Sequence, residues 1–94
     1  MRKSIHSTPY KRLVALMRKR REELGISQEV VAGRLGITPS QLSKWERRER
    51  RIDVNEARLY CNAVGIGLVE LITEWELELL ADSASAEVPR HPSA

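Results

Sequence analysis

Ninety-four residues are room for one domain, and a chain of this size buries too little of its surface to enclose a large active-site cavity. Hydrophobic residues at 41% and charged residues at 31% describe a folded globular chain, while aromatics at 4% leave the core to Leu, Val and Ile. The formal net charge of +3 conceals a split: residues 1–51 hold fourteen Lys and Arg against five Asp and Glu, a net of +9, and residues 52–94 hold two against eight, a net of −6.

The punctuation along the chain is helical. Residues 1–8 read as a short, flexible basic arm carrying Arg2 and Lys3, with Thr8 as the helix cap ahead of Pro9. Leu13, Leu16, Met17, Arg20 and Leu24 follow helical spacing up to a stop at Gly25, which predicts a first helix over 9–24. Ser27 caps a second, Gln28 to Leu35, ended by Gly36. Thr38-Pro39-Ser40-Gln41 is a capping box with proline at the first helical position, and the third helix it opens runs to about Arg47. Asp53-Val54-Asn55-Glu56 repeats the capping signature for a fourth helix that ends before Gly65. Leu68, Leu71, Ile72, Trp75 and Leu79 form a stripe with a period of about 3.6, which predicts a fifth helix over 68–81. The alternation from Glu74 to Leu80 suits a strand less well, because it has no turn partner. Residues 82–94 have the composition of a disordered tail. The chain is therefore expected to be all-α, with its domain at 9–81.

Only Gly36-Ile37-Thr38 separate the second and third helices, and so short a connection with glycine first forces a steep crossing. Close crossing requires a small residue at the contact, and Ala32 sits there, one turn before Gly36. Val31, Leu35, Ile37, Leu42 and Trp45 supply the apolar contacts that fix the angle. Residues 28–47 thus have the pattern of a helix-turn-helix. With Leu42 and Trp45 facing inward, steps of about 100° place Ser40, Lys44 and Arg47 on the opposite side, with Ser43 beside them. Lysine donates to the O6 and N7 acceptors of guanine and serine serves several bases, which makes Lys44 the principal candidate reader of sequence. Gln28 opens the second helix, where free amides and the helix dipole favour a phosphate. Gln41 and Arg47, with Arg48, Arg50 and Arg51 just beyond, are the further candidates for phosphate contacts, and Arg2 and Lys3 for an arm on the DNA.

In these residues the sequence resembles the lambda-repressor/Cro-type, or XRE-like, helix-turn-helix family. The matching text is Arg21-Glu22-Glu23-Leu24-Gly25-Ile26-Ser27-Gln28-Glu29, Val31-Ala32, Leu35-Gly36-Ile37-Thr38 and Leu42-Ser43-Lys44-Trp45-Glu46, continuing through Arg50-Arg51-Ile52-Asp53-Val54 to Ala63-Val64-Gly65-Ile66. The resemblance covers roughly residues 11–80 and implies a five-helix lambda-repressor-like bundle. It implies base contacts at Pro39, Ser40, Ser43 and Lys44, of which Pro39, having no donor, could offer only an apolar surface. It also implies that Gln28 contacts the DNA backbone and buttresses the third helix, and that Arg21 pairs with Glu46 to tie the first helix to the third. One position departs from the family. Where glycine usually stands two residues after the glutamate, this chain has Arg48, and a non-glycine residue in a left-handed cap costs about 1 kcal/mol.

The remaining chemistry is sparse. The longest apolar run, Leu13–Met17, is too short for a membrane span or a secretory signal. Cys61 cannot form an intrachain disulfide and no Cys/His cluster has zinc spacing, so a cytoplasmic protein without metal, cofactor or membrane partner is expected. Cys61 itself reads as a small core residue, and His6 and His91 fall near the ends. Arg18–Arg21 reads chiefly as a solvated helix end whose cations suit the dipole. Glu70, Glu74, Glu76 and Glu78 read as a solvated acidic face, with no base, nucleophile or pocket beside them. No catalytic constellation emerges, and the chain is not expected to be an enzyme. Trp75 has two readings, packed inward or joined with Leu68, Ile72, Leu79 and Leu80 in a homodimer seam. The expected function is a sequence-specific regulator of transcription that binds double-stranded DNA, a repressor acting as a homodimer on an inverted repeat. The alternative is an antitoxin-like protein that binds a protein partner through its acidic fifth helix and tail and autoregulates its own promoter.

Overall fold

The computed structural model describes residues 7–87, which form five helices and, among the described residues, no strand. They are α1 (Thr8–Glu23), α2 (Gln28–Leu35), α3 (Pro39–Glu46), α4 (Val54–Val64) and α5 (Leu68–Glu87). Two boundaries differ from the sequence reading. Ser7 rather than Thr8 caps α1: its hydroxyl accepts from the Tyr10 N–H at 3.3 Å and its carbonyl from the Lys11 N–H at 3.0 Å. Thr8 therefore belongs to the helix and not to an arm; Arg2 and Lys3 lie outside the described residues. At the other end α5 continues through residues 82–87, which the composition assigned to a disordered tail. Ala84, Ala86 and Glu87 favour helix, and extending a helix already nucleated by packing needs no apolar stripe. Residues 88–94 lie outside the described span.

The starts of α2, α3 and α4 carry the caps their sequences announce. The Ser27 hydroxyl accepts from the Val30 N–H at 3.1 Å. Thr38 and Gln41 satisfy each other's backbone donors at 3.1 and 2.9 Å, as Asp53 and Glu56 do at 2.7 and 3.0 Å. Four helices close by one device, a left-handed residue whose successor reaches back to the last turn. These bonds run from Ile26 to Arg21 (3.1 Å), Ile37 to Ala32 (3.0 Å), Glu49 to Lys44 (2.8 Å) and Ile66 to Cys61 (2.9 Å). The left-handed residue is glycine after α1, α2 and α4, whereas after α3 it is Arg48, at φ 60°. The chain thus leaves α3 by the same closure as the others, and the arginine accepts the unfavourable conformation.

The core joins Val14 and Met17 of α1, Val31 and Ala32 of α2, Leu42 and Trp45 of α3, Tyr60, Cys61 and Val64 of α4, and Leu71 of α5. Each fully buried Val, Leu or Met side chain contributes roughly 1.5–3 kcal/mol relative to exposure. Ala32, with no exposed surface, lets α2 and α3 cross closely. Arg34 of α2 donates to the Ala63 carbonyl at 2.6 Å, tying α2 to the end of α4. α5 lies against α1: Leu68 and Trp75 pack on the core, and the Trp75 indole N–H donates to the Pro9 carbonyl at 2.8 Å. Arg20 pairs with Glu74, and Arg12 with Glu78 and Asp82. Partly exposed pairs of this kind add less than about 1 kcal/mol each, so they set the register of the two helices more than they hold them together.

Candidate nucleic-acid interface

The turn Gly36-Ile37-Thr38 delivers α3 across α2 with Leu42 completely buried and Trp45 nearly so. Rotation along α3 then brings Pro39, Ser40, Gln41, Lys44 and Arg47 to the exposed side, with Ser43 half-buried at its edge. Five of the six are polar or basic. Gln41 is both exposed and committed at its carbonyl oxygen, which accepts from the Thr38 N–H. Lys44 joins none of the ion pairs among the described residues. It borders a concavity of about 280 Å³ shared with Ile37, Gln41, Trp45, Arg50 and Glu56.

Behind this face sits a buried polar cluster centred on Glu46. Arg21 grips both carboxylate oxygens, from Nε at 2.8 Å and from a terminal nitrogen at 2.9 Å, and its other terminal nitrogen donates to the Ile26 carbonyl at 2.8 Å. Gln28 donates to the same carboxylate at 2.9 Å and the Tyr60 hydroxyl at 2.7 Å. Four helices therefore meet on one side chain. Burial pushes the Glu46 carboxyl up, but the donors from Arg21, Tyr60 and Gln28 outweigh it and hold the group below the usual carboxylate range. The bond to Glu46 raises Arg21, which stays charged, and burial together with the adjacent carboxylate raises the Tyr60 phenol well above its ordinary value. The arrangement is a rigid mount for the last turn of α3, satisfied at both carboxylate oxygens.

The segment after α3 carries the arginines. Arg47 pairs with Glu49 at 3.0 Å. Arg50 pairs with Glu56 at 2.8 Å and lies over the Trp45 ring, 5.6 Å from its centroid. The bond to Glu56 raises the Arg50 guanidinium and lowers the Glu56 carboxyl. Arg51 lies over the Tyr10 ring at 5.8 Å. Arg48 is half-buried, and its Nε is buried with no hydrogen-bond partner among the described residues. Gln28, assigned to a phosphate by the sequence reading, has its side-chain amide turned to Glu46; its helix start remains beside α3.

Sequence reasoning missed Tyr60 as a member of the cluster and Glu56 as the partner of Arg50. A signal existed for the first: a tyrosine on an apolar helix face has to place its hydroxyl somewhere. The acidic face is also less solvated than expected, since Glu74 and Glu78 are half-buried against α1 and Glu70 accepts from the Gly67 N–H at 3.3 Å. In the basic run, Arg18 pairs with Glu22, Arg20 with Glu74 and Arg21 with Glu46, so three of its four cations are engaged within the protein. Burial pushes the Cys61 thiol up to about 11, which leaves it an unreactive core group at neutral pH. No group of three or more His, Cys, Asp or Glu among the described residues could hold a metal ion. No described helix is long and apolar enough to cross a membrane.

A helix pair packed together across a three-residue turn, with a polar, basic outer face and an arginine-rich exit, defines a helix-turn-helix domain of the five-helix all-α type. The chain belongs to the helix-turn-helix family, which matches residues 17–71, and within it to the XRE-type regulators. An XRE-family-like protein from Pseudomonas syringae pv. tomato str. DC3000 has a solved structure with 36% sequence identity and a TM-score of 0.74, covering 80% of this chain and 92% of that one. The clp gene regulator ClgR from Corynebacterium glutamicum shares the fold, with a TM-score of 0.71 at 20% identity over 89% of each chain. No curated protein matches the chain.

Proposed function

We propose that this chain is a sequence-specific transcriptional repressor that acts in the cytoplasm as a homodimer, placing α3 of each subunit in the major groove of an inverted repeat. The observation that carries this reading is the mounting of α3. Its outer face presents Ser40, Ser43 and Lys44, while its last turn is fixed by the buried bonds from Arg21, Gln28 and Tyr60 to Glu46. A pre-positioned row of donors suits base edges. Pro39 adds an apolar surface at the start of the row, and the α2 start, Gln41 and Arg47, Arg48, Arg50 and Arg51 flank it toward the phosphates. Occupancy alone is enough to repress.

Two subunits are needed because one small domain makes few contacts, whereas two reach half-sites about one helical turn apart. α5 offers the seam. Leu68 and Trp75 pack on the core, so the seam narrows to Ile72, Leu79 and Leu80 of the expected set and gains Val69; Val69 and Leu80 are 79% and 61% exposed. The antitoxin-like alternative draws less support, because Glu74, Glu78 and Asp82 of its acidic surface are already engaged by Arg12 and Arg20. Selection of bound duplexes from a random pool tests the proposal. An enriched inverted repeat with half-sites about ten base pairs apart is the expected product, and a pool that stays random overturns it.

A further inference from the structure

Between α3 and α4 the chain has no repetitive structure, yet it carries Arg48, Arg50 and Arg51. Its beginning is fixed by the left-handed closure at Arg48 and its end by the Asp53 cap of α4. The middle is held from another element altogether. The hydroxyl of Tyr10, in the first turn of α1, accepts from the Ile52 N–H at 2.9 Å, forty-two residues away. The ring of the same tyrosine lies under the Arg51 guanidinium, 5.8 Å from ring centroid to Cζ. Tyr10 and Ile52 are both 8% exposed, so the bond is shielded from water and the loop cannot readily exchange it for solvent. Tyr10 is itself held in place, because the Trp75 indole N–H donates to the carbonyl of its neighbour Pro9.

We infer that Tyr10 is a positioning residue for DNA binding: its hydroxyl and ring orient Ile52 and Arg51 so that the arginine loop meets the phosphate backbone already ordered. This rests on the DNA-binding reading above and adds a residue of α1, remote from the helix-turn-helix, to its machinery. A loop that is ordered in advance loses less conformational entropy when it binds, so affinity gained here is independent of base sequence. Tyr10 needs no contact with DNA to have this effect.

The test uses the full chain and a fluorescent, mixed-sequence duplex of about thirty base pairs, with anisotropy followed over a salt series. Tyr10→Phe keeps the ring and loses the bond to Ile52. It should weaken duplex binding about three- to tenfold and reduce the log–log salt slope by about one, at temperatures where circular dichroism shows the variant fully folded. Arg51→Ala should do the same, and the double variant should bind about as well as either single one, because both act on the same contact. Unchanged affinity and slope in Tyr10→Phe, or losses that simply add in the double variant, overturn the inference. Should the variants fail to fold, the native chain decides: on titration with the duplex, the amides of Arg51 and Ile52 should shift in the NMR spectrum, and their silence overturns the inference. A wild-type chain that binds no duplex sinks the DNA-binding reading itself, an outcome distinct from normal wild-type binding with an indifferent Tyr10→Phe.

Discussion

Tyr60 donates its hydroxyl to the same carboxylate oxygen of Glu46 that the Arg21 Nε grips, at 2.7 and 2.8 Å. One buried acid thereby unites α1, α3 and α4, and through Gln28 also α2. Removing Arg21 would leave that charge buried and poorly compensated, at a cost of about 3–5 kcal/mol. Since domains of this size are stable by only about 5–15 kcal/mol, Arg21→Leu should lose much of the cooperative thermal transition. Tyr60→Phe removes a single bond to a charged group and should cost about 1.5–3 kcal/mol, measured by denaturant unfolding. A Tyr60→Phe protein as stable as the native chain would show that the phenol contributes nothing to the mount.

The same cluster sets a pH dependence. The folded Glu46 carboxyl lies below its unfolded value, so the unfolded state binds the extra proton as pH falls. The stabilisation is therefore complete above the ordinary carboxylate range and is lost as pH drops through the depressed folded value. Glu56, lowered by Arg50, adds in the same direction. The thermal midpoint should be flat near neutrality and fall under acid conditions, more gently in Glu46→Gln than in the native chain. Parallel acid profiles for the two proteins would remove Glu46 from this role.

The helix starts and stops were legible because they depend on neighbours in sequence. Thr38 and Gln41, or Asp53 and Glu56, satisfy each other within one turn, and Gly25, Gly36 and Gly65 supply the left-handed stops locally. The outward set on α3 was legible from the inward pair Leu42 and Trp45. Of what depends on distant partners, the Arg21–Glu46 pair followed from the family resemblance, and the rest was not legible. Arg20 finds Glu74 across fifty-four residues, and the Tyr10 hydroxyl finds Ile52 across forty-two. The end of α5 was misread because Asp82-Ser83-Ala84-Ser85-Ala86-Glu87 carries no apolar period, and helix continuation there needs none.

Arg48 separates stability from function. Its φ of 60° is the conformation that glycine adopts without penalty after α1, α2 and α4. Arg48→Gly should therefore stabilise the fold by about 1 kcal/mol, raising the thermal midpoint by roughly 4–8 °C. Arg48→Ala loses the same guanidinium and keeps the unfavourable backbone, so it should show no such gain. Both should weaken binding to specific and random duplexes alike, as loss of a phosphate contact does. A gain in stability for Arg48→Gly with undiminished DNA affinity would leave the arginine without a role on DNA.

Lys44 and Arg50 border the same concavity beside α3, and they should fail differently. Lys44→Ala should cost about 1–3 kcal/mol on the selected operator and little on random DNA, because a base-edge donor is lost. Arg50→Ala should weaken both duplexes equally and lower the salt slope by about one. Competition binding at two salt concentrations separates these outcomes. Equal losses on the two duplexes for Lys44→Ala would move it from the base edge to the backbone.

The charge on α5 is segregated from an exposed apolar face. Glu74, Glu78 and Asp82 turn toward Arg12 and Arg20 of α1, while Val69, Ile72, Leu79 and Leu80 share an adjoining face with the exposed Glu76 among them. Helical steps of about 100° keep the two faces apart along the whole element. A second copy related by a two-fold axis would cover the apolar face with the same face of its own α5. Leu80→Glu sets a carboxylate into that seam at a residue already 61% exposed in the subunit, so the subunit's own fold should be little affected. Sedimentation should show native dimers and Leu80→Glu monomers, with operator affinity falling in the variant while its circular dichroism stays native. A native chain that sediments as a monomer both free and on DNA would refute the dimer, and a dimeric Leu80→Glu protein would place the seam elsewhere.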